Sequence, residues 1–154
     1  MINHNQLRQY IIKPTLDSLG LYSRAAEELL VFTACAESDC GTWLHQKYGP
    51  AAGIFQMEPR THDDIWKNYL SHRKPLANKV ASFSKDCLAI EMIWNLKYAA
   101  AMCRVHYLRS SRPLPQEFDG KGMAQYWKDI YNTHKGKGDP DHALSLYRAM
   151  TWNP

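Results

Sequence analysis

Apolar positions along this chain recur every three to four residues and almost never alternate, so the pattern is helical from one end to the other. Leu7 to Leu19 reads as a first helix, bent or interrupted at Pro14, with Gly20 as its stop. Ser23 caps a second helix that runs through Leu29-Leu30-Val31-Phe32 to Glu37. Asp39 to Ala52 holds Gly41, Gly49 and Pro50 and reads as a loop, with Trp43 and Tyr48 as aromatic rings that could line a cleft. Pro59-Arg60-Thr61 opens a third helix with Thr61 as its candidate cap, and a polar stretch from Ser71 to Lys79 follows. Lys85 to Leu108 is the longest periodic segment, with an apolar stripe at Leu88, Met92, Leu96 and Ala99. It is the expected central helix, and Ala99-Ala100-Ala101 would let a neighbour approach closely. Arg109 to Gly122 is an expected exposed loop, Met123 to Asn132 a helix, and Asp141 to Met150 the closing helix. The expectation is one mostly α domain over residues 1–154.

One polar residue sits awkwardly in this pattern. Ala26, Leu30, Thr33 and Glu37 share a helix face, which puts a carboxyl at the end of an apolar stripe. Burial there would penalise the charged form and raise its pKa, the state a general acid needs near neutral pH.

Composition narrows the classes. Hydrophobic content of 45% with 22% charged residues is that of a globular protein, and no apolar run approaches a membrane span. Met1 to Arg8 lacks the apolar core of a secretory leader. The expectation is synthesis in the cytoplasm, or exit by a route other than a cleaved leader. The net charge of +4 is spread over scattered lysines and arginines, which argues against a nucleic-acid arm. Cys35, Cys40, Cys87 and Cys103 form no CxxC pair, and Cys35 and Cys103 fall in apolar helical stretches where a buried thiol is expected. The seven histidines show no metal-ligand spacing, so neither a metal nor another cofactor is expected.

Three short segments carry chemistry in a fixed order: Glu37-Ser38, then Gly53-Ile54-Phe55-Gln56 ending at Pro59, then Tyr131-Asn132 running into Gly136 and Gly138. Together they resemble the signatures of the lytic transglycosylase SLT domain, whose relatives include goose-type lysozyme. That family carries a Glu-Ser, a Gly-Leu-Met-Gln followed by a proline, and an Ala-Tyr-Asn-Ala-Gly-Pro-Gly. The resemblance covers about residues 25–138. Ile54-Phe55 replaces Leu-Met, an apolar exchange. Thr133-His134-Lys135 stands where the family has small residues and a glycine, so the turn after Asn132 is altered.

The resemblance implies a lysozyme-like helical domain that cleaves the glycan strands of peptidoglycan. Glu37 would be the acid/base, and the Tyr131 phenol would hydrogen-bond it and hold its rotamer. Gln56 and Asn132 would offer amides to the sugars, Gly53 would let backbone approach the glycan, and Phe55 would form an apolar wall. Ser38 would orient the acid, touch substrate or only cap its helix. A monomer without nucleic-acid partner or membrane insertion is expected. The missing leader would fit a bacteriophage enzyme, either an endolysin or a virion component. A hydrolase would need a second carboxylate, for which Asp39, Glu58, Asp63 and Asp64 are the candidates.

Overall fold

The first helix passes through Pro14. In the computed structural model, which describes residues 1–152, α1 (His4–Gln6) widens into a π-helical turn (Leu7–Ile12) and returns to α geometry in α2 (Lys13–Leu19). The Lys13 N–H donates to the Arg8 carbonyl, an i→i+5 bond that carries the ladder past a residue with no donor of its own. The expected interruption is therefore a change of pitch. Gly20, at φ 68°, ends the helix in the left-handed conformation, as expected.

Ser23 caps α3 (Arg24–Ser38) by accepting the Ala26 N–H at 3.0 Å. Asp39 and Cys40 follow with positive φ and turn the chain into the expected loop, which is held by isolated bridges between His45 and Ala52 and between Ala52 and Met57. In α4 (Pro59–Asn68) the proline takes the first turn, where no donor is needed, and Glu58 is the boundary residue. Thr61 lies inside that helix and does not cap it. The polar stretch after it folds into a 3₁₀ turn (Leu70–His72) and α5 (Lys74–Ala81), an element whose one fully buried side chain, Val80, leaves too faint a periodicity to read.

The expected long helix over Lys85 to Leu108 is broken. The Glu91 carboxylate accepts the backbone N–H groups of Lys85 and Asp86 and the Ser84 hydroxyl, so the chain wraps around it in a loop and a 3₁₀ turn (Ala89–Ile93). Leu88 is 54% exposed and takes no part in the expected stripe. Asn95 then caps α6 (Leu96–Leu108) through the Tyr98 N–H. α6 is the central helix: Ala99, Ala100 and Ala101 are buried, and it packs against α2, α3 and the first π turn. A buried hydrogen bond of 2.7 Å between Thr33 and Tyr107 ties α3 to α6.

α7 (Gly120–Tyr126) runs into a second π-helical turn (Trp127–Asn132), and α8 (Pro140–Thr151) lies along α3. The described residues form a mostly helical fold, 62% helix, around one contiguous hydrophobic core. Cys35 and Cys103 are buried in it. Of the tryptophans, Trp127 is core and Trp66 core edge, whereas Trp94 and Trp152 are exposed. No helix among the described residues is long and apolar enough to cross a membrane.

Candidate active site

α3 delivers Glu37 to the wall of an open cleft of about 1070 Å³. The opposite walls come from the 43–58 loop, the start of α4, the end of α6 and the segment that follows the second π turn. Glu37 sits one residue from the end of α3, where the helix dipole adds to the cost of a negative charge. Burial pushes its pKa up to about 7, against a hydrogen bond from the Trp127 indole that pulls it down. That bond, Trp127 Nε1–H to Glu37 Oε1 at 2.9 Å, fixes the carboxyl's rotamer. Trp127 is itself held by burial and by Phe32, 6.2 Å away between ring centroids.

Trp127 thus fills the part expected of Tyr131. The Tyr131 hydroxyl donates instead to the Phe55 carbonyl at 2.8 Å, which joins the third segment to the second. Tyr131 still lines the cleft, close enough to Glu37 that the carboxyl adds to burial in holding the phenol's pKa well above its ordinary value. The indole reaches the acid because the π turn sets Trp127 and Asn132 one wide turn apart, and so brings both ends of that turn to one side.

Four of the seven expected residues meet in the cleft: Glu37, Gln56, Tyr131 and Asn132. The other three stand behind its wall. Ser38 is buried; its hydroxyl donates to the Ile54 carbonyl at 2.6 Å and accepts the Gly41 N–H, which staples the first segment to the second. Phe55 is 1% exposed and is core, not a wall of the cleft. Gly53, at φ 78°, is required by packing: a Cβ there would lie 2.4 Å from the Met92 carbonyl oxygen. The Gln56 amide nitrogen donates to the Gly53 carbonyl at 2.9 Å, so part of its hydrogen-bonding capacity shapes the loop. Asn132 accepts from Lys128, whose ammonium also holds the Gly136 carbonyl, and so anchors the altered turn. Within that turn Thr133 sits at φ 66° and ψ 170°, a region that favours glycine.

Two more groups that the sequence did not single out line the cleft, His106 and Arg109 on the last turn of α6 and its cap. Arg109 donates to Asp64 at 2.7 Å and to His106 Nδ1 at 2.7 Å. A guanidinium has no acceptor, so Nδ1 accepts and the ring proton sits on Nε2. Burial, with help from the Arg109 charge, pushes the His106 pKa down to about 4, while a bond to the Tyr131 backbone opposes the shift. The imidazole is a neutral brace between α6 and the Tyr131 backbone. Its position on the inner face of a helix that is buried nearly all round left no sequence signal.

Among the candidate second carboxylates, Glu58 and Asp64 line the cleft, whereas Asp63 turns outward against His62. Each cleft carboxylate pairs with an arginine, Glu58 with Arg60 and Asp64 with Arg109. Asn68 and Arg109 together hold the Asp64 carboxyl below the usual range. Trp43, 52% exposed, lines the cleft, as the loop reading expected. Among the described residues no group of three or more His, Cys, Asp or Glu side chains is gathered to hold a metal ion. Neither a family model, nor a curated protein, nor a solved structure matches the chain.

Proposed function

We propose that this chain is a peptidoglycan-cleaving enzyme of lysozyme-like fold, a lytic transglycosylase with Glu37 as its acid and base. The observation that carries the reading is a single carboxyl with a pKa of about 7, placed in an open cleft and held by a buried indole. A carboxyl that is half-protonated near neutral pH can protonate the glycosidic oxygen as the bond breaks. The same group, now ionised, can then take the proton of the muramic C6 hydroxyl as that oxygen closes onto C1. One carboxyl serves both steps, and the product ends in a 1,6-anhydro ring. Gln56, Tyr131, Asn132 and Trp43 surround the cleft with the polar and aromatic faces that sugars bind. The three sequence segments also support the reading, because each contributes to one cleft, through Glu37, Gln56, and Tyr131 with Asn132, and hydrogen bonds join the second segment to the other two. The setting it fits is a bacteriophage lysis or virion enzyme that acts as a monomer on glycan strands.

A second reading, a hydrolytic lysozyme, is favoured by one observation: Glu58 and Asp64 share the cleft with Glu37 and could activate water. Their arginine partners already occupy them, which favours the transglycosylase.

Glu37→Gln keeps the shape and removes the titrating proton. Release of soluble muropeptides from purified sacculi should fall by about two orders of magnitude or more. Mass spectrometry of the wild-type digest decides between the two readings, since anhydro ends lie one water (~18 Da) below reducing ends. Wild-type protein that sediments with sacculi and releases nothing would contradict both.

A further inference from the structure

The cleft carries more positive charge than its own carboxylates neutralise. Glu58 and Asp64 are paired with Arg60 and Arg109, and Glu37 is half-protonated near neutral pH. That leaves Lys47, Lys135 and Lys137 lining the cleft, all exposed, with no carboxylate of the described residues within ion-pairing distance. Lys135 and Lys137 stand in the turn where this chain departs from the pattern it resembles. The turn is fixed at its base: Lys128 clamps Asn132 and the Gly136 carbonyl, and Gly136 and Gly138 press against the Asn132 side chain with no room for a Cβ. Lys135 and Lys137 are therefore presented to the cleft from a braced turn, and Lys47 lines the same cleft from the 43–58 loop.

We propose that Lys47, Lys135 and Lys137 form an anion subsite that seats free carboxylates carried by the peptide stems of the glycan. The inference rests on the reading of the cleft as a glycan site and adds a preference for charged, peptide-bearing strands over neutral ones. Each exposed lysine–carboxylate pair contributes modestly on its own. Three around one cleft focus potential on a polyanionic strand, with an effect that salt screens.

The test is co-sedimentation of the Glu37→Gln protein with sacculi, which reads binding whether or not the chain cleaves anything. The probes are native sacculi and sacculi whose free carboxylates are capped as methylamides. Lys135→Ala/Lys137→Ala in the Glu37→Gln background should weaken binding to native sacculi about fivefold, and the loss should shrink as salt is raised. On capped sacculi the parent should bind about as weakly as the lysine variant, and the two should be indistinguishable. An equal loss on native and capped sacculi, or no loss on either, would overturn the subsite. Lys85→Ala/Lys121→Ala, both outside the cleft lining, removes the same two charges and controls for net charge; a loss equal to that of the paired variant would overturn it as well. Failure of the glycan reading shows up separately, as no muropeptide release by the wild-type protein.

Discussion

The two ends of α3 treat their carboxyls in opposite ways. At the N-terminal end Glu27 and Glu28 are 1% and 2% exposed, yet Arg8 reaches across from the first π turn and meets both, at 3.1 and 3.0 Å. The Tyr147 hydroxyl of α8 adds a further donor to Glu28. At the C-terminal end Glu37 receives one neutral indole N–H and no cation. The first arrangement locks three elements together through paired charge. The second leaves a carboxyl whose proton can leave or return near neutral pH. Burial alone does not make an acid; burial without a counter-charge does.

The largest expected effect comes from opening the paired end. Arg8→Met would leave the two buried carboxylates with only the half-exposed Arg24, at 3.8 and 3.6 Å, and the Tyr147 hydroxyl on Glu28, and should cost about 3–5 kcal/mol. In thermal melts that is a fall of roughly 6–20 °C. A loss under ~1 kcal/mol would show that the pairing is dispensable.

Glu37→Gln should do the reverse. The folded-state pKa of about 7 lies above the ordinary 4.5, so the native state binds this proton more tightly than the unfolded chain does. The resulting stability is fully present below pH ~4.5 and is lost as pH rises through ~7, for a total of about 3 kcal/mol. The glutamine protein should therefore be more stable than wild type at pH 8 by about that amount and lose the advantage at pH 4. Equal stability at both pH values would mean that the site imposes no penalty on the charge.

Trp127→Phe keeps a ring beside Phe32 and removes the one hydrogen bond that lowers the acid's pKa. The limb of the pH–rate profile assigned to Glu37 should move to higher pH, with a severalfold loss in kcat. An unmoved limb would take Trp127 out of the account. The smallest effect is expected at Thr133, where Thr133→Gly should relieve strain worth about 1 kcal/mol net of glycine's greater freedom in the unfolded chain. Chemical denaturation would read it, and a destabilised glycine variant would show that the threonine side chain earns its unusual backbone.

What the sequence disclosed follows from which forces leave a local trace. Ser23, Gly20 and the apolar face ending at Glu37 were legible because caps, left-handed glycines and helical stripes act within one or two turns. The break in Lys85 to Leu108 was not legible. Periodicity counts apolar positions and is blind to the Glu91 carboxylate that draws backbone N–H groups away from a helix. Glu37 was legible as the end of an apolar face; Gln56, Tyr131 and Asn132 were legible as cleft residues only through the resemblance of their segments to a known set of signatures. Their partners were not: the Trp127–Glu37 bond spans ninety residues and depends on a π turn whose widening no single residue announces. Ser38, Gly53 and Phe55 belong to the same segments but secure the cleft from behind, because the turn at Gly53 is held against Met92 and not against a ligand.

The most direct test of the central claim is a carboxyl ¹³C NMR titration of Glu37 in the folded protein, assigned by its disappearance in Glu37→Gln. The account predicts a midpoint near pH 7, set by burial without a counter-charge. A midpoint near 4.5, that of an ordinary solvated glutamate, would contradict it.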